Sequence, residues 1–144
     1  SDLENPDSRL LEAMYHTKPG HELNDRLTHN TSIHTGGLLK AKNHSYYLNL
    51  EQDGELVLYN STHFSSKNAI WRSGSANKGQ GPYRLTMQDD GNLVIYDNNN
   101  TAVWASDTWN KGAKGHSCVV QDDGNFVIYD GDKKPTWSTD TWRG

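Results

Sequence analysis

The stretch Gln88-Asp89-Asp90-Gly91-Asn92-Leu93-Val94-Ile95-Tyr96 decides the fold of this 144-residue chain. Apolar and other side chains alternate on both sides of the Asp90-Gly91 step, which is typical of half-buried strands. Glycine accepts the positive φ that a tight hairpin turn requires, so this step predicts the turn itself. The stretch is therefore predicted to form a β-hairpin, with a core face made of Leu85, Met87, Leu93 and Ile95.

Two further copies of this stretch lie in the chain, at residues 51–59 and 121–129. A tryptophan follows each copy, and these residues are 33 apart in both intervals: Trp71, Trp104 and Trp137. The tyrosines that end the three copies are 37 and 33 residues apart, because the first copy has four extra residues before its tryptophan. The chain thus contains three repeats of about 33 residues, called repeats 1, 2 and 3 below.

Three apolar hairpin faces can be covered only by packing against one another. The three equivalent tryptophans are the natural shared centre of such an arrangement. The predicted fold is therefore all-β, a prism of three pseudo-symmetric antiparallel sheets. The single cysteine, Cys118, alternates in register with the core residues, so it is interpreted as a small buried hydrophobe and not as a catalytic thiol.

The first residues of the chain follow another pattern. Residues 1–21 are predicted to form an N-terminal extension, either a short helix or a partly ordered tail, and residues 22–144 the β domain. Three signals support the helix: a start at Pro6-Asp7-Ser8, apolar i,i+4 pairs at Leu10/Met14 and Leu11/Tyr15, and a stop at Lys18-Pro19-Gly20.

Composition limits the classes of function. The net charge is −4 and no basic cluster is longer than Lys133-Lys134, which argues against binding to nucleic acid or to an anionic membrane. With one cysteine, and seven histidines that show no repeated ligand spacing, no metal or other cofactor is expected. The chain as given is expected to carry no signal or transmembrane segment, which leaves both a secreted and a cytoplasmic location open.

The hairpin face that points away from the core carries the candidate binding residues. Repeats 2 and 3 show the same five side chains at alternate positions: Gln88, Asp90, Asn92, Val94 and Tyr96, and Gln121, Asp123, Asn125, Val127 and Tyr129. This set offers donors and acceptors for vicinal hydroxyls and an apolar surface for C–H groups, which is what a neutral sugar needs. Ordinary turn chemistry explains the Asp-Gly step but not five identical outward side chains. Each face has one carboxylate and not the converging pair of a glycosidase, so no enzyme is predicted.

The pattern Q-x-D-x-N-x-V-x-Y resembles the mannose site of the bulb-type lectins, the monocot mannose-binding or snowdrop-like family. The stretch from Trp104 to Thr108 is similar to the end of that family's repeat. The resemblance covers about residues 22–144 and implies a β-prism II fold that binds mannose or mannosylated glycans and glycoproteins. It also implies that Asp and Asn bind the 2-hydroxyl, Gln the 3-hydroxyl and Tyr the 4-hydroxyl, while Val packs on the ring carbons. A homodimer that exchanges the C-terminal strand, residues 136–142, is expected.

Repeat 1 departs from this pattern. Glu51 replaces the glutamine and Glu55 the asparagine, while Asp53, Val57 and Tyr59 remain. Both changes remove amide donors and crowd three carboxylates on one small face, so this degenerate site is predicted to be weak or inactive toward mannose. A cation site there is disfavoured, because backbone carbonyl ligands are missing from the pattern.

Other functions on the same scaffold stay open at this point. A protein–protein interaction module would keep the central tryptophans without needing identical polar sets in two repeats. A lectin-like toxin or bacteriocin is compatible with sugar binding. Trp109 and Trp142 are also 33 residues apart, with Ala76 as their counterpart in repeat 1, and they favour a subunit interface over a groove beside a site.

Overall fold

Three tryptophan rings pack against one another at the centre of the protein. In the computed structural model, which describes residues 5–15 and 23–143, the rings of Trp71, Trp104 and Trp137 meet edge to face. Their centroids are 5.8 Å apart in each of the three pairs. The core faces predicted for the hairpins surround them and are fully buried, for example at Leu85 and Ile95. The predicted shared centre is thus confirmed.

Twelve short strands form the β domain. In chain order they are β1 (Arg26–Thr28), β2 (Thr31–His34), β3 (Leu38–Lys40), β4 (Tyr47–Leu50), β5 (Leu56–Tyr59), β6 (Ala69–Arg72), β7 (Arg84–Met87), β8 (Leu93–Tyr96), β9 (Ala102–Ala105), β10 (Ser117–Val120), β11 (Phe126–Tyr129) and β12 (Pro135–Ser138). They form three four-stranded sheets with the orders β3-β4-β5-β6, β2-β7-β8-β9 and β1-β10-β11-β12. All pairs are antiparallel, so the predicted fold class is confirmed.

The repeats share one segment that sequence periodicity did not reveal. Residues 26–40 supply one edge strand to each sheet, because β1 pairs with repeat 3, β2 with repeat 2 and β3 with repeat 1. The pairing places Leu27 opposite Cys118 and Leu39 opposite Leu48. Each sheet is therefore completed by residues that lie before the first hairpin.

Each hairpin has the same two local features, a β-bulge and a turn glycine with positive φ. A register shift lies just before the tyrosine of every repeat, as between Ile95 and Tyr96, and such a bulge turns the following side chain. The turn glycine has a φ of +88° at Gly91, where an added Cβ would lie 2.6 Å from the ring of His116. Glycine is required there both by the backbone conformation and by the close approach of the ring.

Among the described residues of the predicted N-terminal extension, Ser8–Tyr15 form a helix, α1. The carboxylate of Asp7 accepts a hydrogen bond from the backbone N–H of Arg9 at 2.8 Å and caps the first turn, as the start signal predicted. The two apolar pairs do not both face the protein, because Leu10 alone is buried and the other three side chains are exposed. The predicted stop at residues 18–20 and the boundary at 21/22 lie outside the described residues.

Within residues 5–15 and 23–143, no helix has the length and apolar character needed to cross a bilayer. Cys118 lies within β10 and is completely buried. Burial raises the pKa of its thiol to about 12, so the reactive thiolate does not form near neutral pH. This agrees with its interpretation as a packing residue.

Candidate functional site

The five predicted residues of repeat 2 lie together on the outer face of one hairpin. Gln88 directly follows β7, Asp90 lies in the turn, Asn92 precedes β8, and Val94 and Tyr96 lie on β8. The aspartate is exposed, whereas the glutamine, asparagine and tyrosine are half-buried. Repeat 3 places its five residues in the same way, so both predicted sets are brought together.

The asparagine of each set is oriented by the loop that follows the central tryptophan. The Oδ1 atom of Asn92 accepts hydrogen bonds from the Ser106 hydroxyl and from the backbone N–H of Thr108, both at 3.2 Å. Asn125 accepts two equivalent bonds at 3.2 Å from Thr139 and Thr141. Because Oδ1 is engaged, the Nδ2 amide group is left as a donor without a partner in the described chain. These orienting residues were not predicted from the sequence, although a hydroxyl pair recurs after each central tryptophan.

The aspartate and the glutamine–tyrosine pair complete the arrangement in repeat 2. One carboxylate oxygen of Asp90 accepts the backbone N–H of Asn92 at 2.9 Å, which leaves the other oxygen as an acceptor. The Gln88 amide donates to the Tyr96 hydroxyl, so the glutamine oxygen and the phenolic hydrogen stay available. Asp123 and Gln121 make the same bonds in repeat 3.

The valines contribute less surface than the sequence predicted. Val94 is 2% exposed and Val127 is 4% exposed. The apolar area that a ligand meets directly is therefore small, and the polar groups around it dominate the face. Beside it, a shallow cavity of about 400 Å³ in repeat 2 is lined by Asn30, Gln88, Asp89, Asp90, Asn110 and Lys114.

Repeat 1 uses the same backbone, but carboxylates replace the two amides and the hydrogen bond of its tyrosine runs in the opposite direction. Glu55 is buried and takes the place of the asparagine, accepting the Ser75 N–H at 2.8 Å and the Ser73 hydroxyl at 3.1 Å. The Tyr59 hydroxyl donates to Glu51 at 2.7 Å, so its hydrogen is already used. This face thus presents acceptors where repeats 2 and 3 present donors.

The carboxylates of repeat 1 are less crowded than expected, since Glu51 and Glu55 bind separate partners. Burial, reinforced by the hydrogen bond to Glu51, raises the pKa of Tyr59 to about 12. In the described part of the chain, no group of three or more His, Cys, Asp or Glu side chains is arranged to hold a metal ion.

Helix α1 covers the face of repeat 1. The Arg9 guanidinium binds both oxygens of Glu51, at 2.8 and 2.6 Å, and Leu10 packs in a cluster with Val57 and Tyr59. As a result Tyr59 is only 2% exposed, whereas its counterparts in the other repeats are half-buried. Of the degenerate set, Asp53 alone is exposed.

Comparison with known proteins points to the family that the repeated hairpin motif resembles. Residues 77–143, which hold repeats 2 and 3, match the family model described as D-mannose binding lectin. A solved structure described as a monomeric monocot mannose-binding lectin from Gastrodia elata is 36% identical, with a TM-score of 0.71 over 83% of this chain and 99% of that chain. The mannose-specific agglutinin from snowdrop (Galanthus nivalis) bulbs, solved with methyl-α-D-mannoside, is 31% identical, with a TM-score of 0.66 over 84% of this chain and 100% of that chain.

A mannose-specific lectin of Dendrobium findlayanum is 40% identical over 92 residues, which is 64% of this chain and 44% of that protein. The chain spans less than half the length of each curated relative it matches, 28% of one and 44% of the other. The solved lectins, in contrast, are matched over nearly their whole length and share the prism of three sheets. With its repeated hairpin motif and this similarity, the chain belongs to the bulb-type, mannose-binding lectin family.

Proposed function

We propose that this chain binds mannose or mannose-containing glycans, without catalysis, through the outer faces of repeats 2 and 3. One observation carries the proposal: both faces leave the same unused groups, an amide donor, a carboxylate acceptor, an amide oxygen and a phenolic hydrogen. The bonds that hold these groups have partners at equivalent positions and nearly the same lengths in both repeats. Two hairpins of different core sequence thus present one polar arrangement.

The chemistry of this arrangement suits a sugar with an axial hydroxyl. A hydroxyl can donate to the free oxygen of Asp90 while it accepts from the Nδ2 group of Asn92, so one ligand atom uses both. By the family resemblance we assign the 2-hydroxyl to this pair, the 3-hydroxyl to Gln88 and the 4-hydroxyl to Tyr96. The equivalent groups of repeat 3 take the same roles. The mannose specificity of the named relatives and the mannoside in the snowdrop structure support mannose as the ligand.

Binding at each face is expected to be weak. A shallow face with a few hydrogen bonds and little apolar area cannot offset a large loss of ligand freedom. Two equivalent faces on one chain gain avidity when both reach the same branched glycan or surface. A single carboxylate on each face does not supply the acid and base that glycoside hydrolysis requires, which supports binding without turnover.

The test uses Asn92→Asp and Asn125→Asp, alone and together. Aspartate keeps the oxygen that the Thr108 or Thr141 N–H binds, but it replaces the amide donor by a charged acceptor. Calorimetry with a mannoside should show two sites per chain in the wild type and one in each single variant. The double variant should bind about 100-fold more weakly, as expected for losing a donor at both faces.

Asp53→Asn in repeat 1 is the matched control, and it should leave affinity and stoichiometry unchanged. Full binding by the double variant would show that the site lies elsewhere. The same variants separate a protein–protein module from a lectin, because a protein partner that ignores these amides would bind all of them equally.

We also propose a homodimer in which residues 136–142 are exchanged. Within the single chain, β12 pairs with β11 and Thr141 holds the turn at Asn125. In the exchanged dimer, β12 and Thr141 of the second copy would make these contacts with β11 and Asn125. Trp109 and Trp142 are 63% and 62% exposed and provide apolar surface for such a contact. Sedimentation analysis should give a dimer mass for the wild type and a monomer for Trp142→Ser; a monomeric wild type at tens of micromolar would contradict the proposal.

A further inference from the structure

Two features that distinguish repeat 1 from the other repeats converge on helix α1. Glu51 stands where repeats 2 and 3 have glutamine, and it binds Arg9 of the helix. The four extra residues before Trp71 lie in a loop that carries Phe64, which packs beside Leu10. We propose that the outer face of repeat 1 is a peptide-binding site for an arginine-bearing helical segment, and that α1 is its ligand within this chain.

The site binds the guanidinium on several sides. Besides the two bonds to Glu51, Arg9 donates to the backbone carbonyl of Phe64 and to Asp7. The guanidinium centre lies 5.1 Å from the Phe64 ring centroid and 5.9 Å from that of Tyr59. Three separate nitrogens are used, because Nη1 donates to both Glu51 oxygens, Nη2 to the Phe64 carbonyl, and Nε with Nη2 to Asp7. Lysine has one nitrogen and no planar face to lie against the aromatic rings, so the site selects arginine.

An apolar pocket beside this charge accepts the next residue. Leu10 is 6% exposed and packs in one cluster with Leu38, Tyr47, Val57, Tyr59 and Phe64. The backbone N–H of Asp7 donates to the carbonyl of Thr62 at 2.7 Å, which fixes the start of the helix on the inserted loop. Recognition thus combines one charged anchor, one apolar anchor and one backbone contact.

The ligand itself depends on this site for its order. Helix α1 has 8 residues, which is too short for an isolated helix to be stable in water. Its outward residues Leu11 and Met14 are 54% and 56% exposed, so these two side chains add no comparable packing to the protein. The helix is therefore expected to form when Arg9 and Leu10 dock, and to be lost when either anchor is removed.

The first experiment measures hydrogen exchange in the full chain. Glu51→Gln should speed exchange of the α1 amides at least tenfold, because it removes the charged partner of Arg9. Gln88→Glu, the mirror change in repeat 2, is the matched control and should leave α1 unaffected. Unchanged exchange in Glu51→Gln would overturn the proposal.

The second experiment tests binding between molecules. A full-length Arg9→Ala/Leu10→Ala variant, labelled for NMR, is titrated with a synthetic peptide that copies residues 5–15. The peptide should shift the amide signals of Val57, Tyr59 and Phe64 in a saturable way. It should bind the wild type at least tenfold more weakly, since the wild-type site is filled by its own helix.

Two controls make the titration decisive. A peptide with Arg9→Ala should bind the released variant at least tenfold more weakly than the unchanged peptide. Unshifted signals at Leu85 and Trp104, and unchanged mannoside binding by repeats 2 and 3, would show that the variant is folded. Equal peptide affinity for wild type and variant, shifts confined to other repeats, or no shifts in a folded variant would each overturn the proposal.

Discussion

Repeat 1 and repeat 2 have the same strands, the same bulge and the same turn, yet one face is closed and the other open. In repeat 2 the hydrogen bonds use the acceptors of Asn92 and Tyr96 and leave donors unused. In repeat 1 Glu51 accepts the Tyr59 hydroxyl, Glu55 accepts the Ser75 N–H, and helix α1 covers this face. The comparison teaches that equivalent positions on the scaffold can carry either amide donors or carboxylate acceptors. The reason is that these side chains lie outside the core, whose packing beneath the hairpins stays the same.

The most direct way to break this comparison is to transfer the chemistry of repeat 1 into repeat 2. In an Asn125→Asp background, where repeat 2 is the remaining mannose site, Gln88→Glu with Asn92→Glu should weaken mannoside binding about 100-fold, because two donors become acceptors. Calorimetry measures the loss. Affinity equal to that of the Asn125→Asp parent would show that donor identity does not distinguish the repeats.

The reverse transfer is the control for that experiment. Glu51→Gln with Glu55→Asn in the wild type restores the amide set and also removes the charged partner of Arg9, so the α1 amides should exchange faster, as in Glu51→Gln alone. A third mannoside site should therefore appear only together with this loss of protection. A third mannoside site that appears with α1 still protected from hydrogen exchange would mean that the helix does not close the face.

A smaller effect is expected from the serines that hold the two turns. Ser106→Ala removes the acceptor of the Leu93 N–H at 3.0 Å, and Ser73→Ala removes that of Leu56 at 3.0 Å. Each change should lower the free energy of unfolding by about 1–2 kcal/mol in urea denaturation. Only Ser106→Ala should also weaken mannoside binding, by about threefold to tenfold, because it releases Asn92. Equal effects of both variants on mannoside binding would contradict the division between the repeats.

The smallest expected effect concerns the loss of folding stability at low pH. Asp97 and Asp130 follow the tyrosines of repeats 2 and 3, where repeat 1 has Asn60. Backbone N–H groups, chiefly those of Thr101 and Lys134, lower the pKa of these carboxyls. A lowered folded pKa stabilises the protein above the unfolded value of about 3.9, and this contribution is lost as the pH falls through the folded pKa.

The measurement is the urea midpoint between pH 5 and pH 2. Asp97→Asn and Asp130→Asn should each flatten the fall of stability with acid, relative to the wild type. An Asn60→Asp variant should, if its carboxylate finds the same backbone donors, steepen it. Identical pH profiles for the wild type and the two asparagine variants would show that these carboxylates do not contribute to acid sensitivity.

The sequence predicted the part of the fold that periodic patterns describe. Alternation placed Leu85 and Ile95 in the core, and the interval of 33 residues placed the tryptophans at one centre. The shared edge strands could not be predicted, because residues 26–40 lie outside the 33-residue repeat and β1 and β2 pair with residues far along the chain. The candidate residues of repeats 2 and 3 were found by their repetition, and their role in binding stays a prediction.

The closure of repeat 1 was beyond the reach of pattern analysis for another reason. The helix was predicted, but its spacing indicated two apolar pairs and gave no sign that Leu10 alone would be buried. The contact between Arg9 and Glu51 joins residues 42 positions apart and follows no period. The four extra residues before Trp71 indicated that repeat 1 differs from the other repeats at this point. Only the structure shows that their loop carries Phe64, which packs beside Leu10 of the helix.

The shared segment of residues 26–40 also sets an order of assembly during synthesis. Leu39 meets its partner Leu48 soon after both are made, whereas Ser32 must wait for Thr86 and Arg26 for Val119. Repeat 1 can therefore close first and repeat 3 last. Because β1 stays an unpaired edge until β10 is translated, a chain that stops after repeat 2 would carry an open strand available for pairing with another molecule.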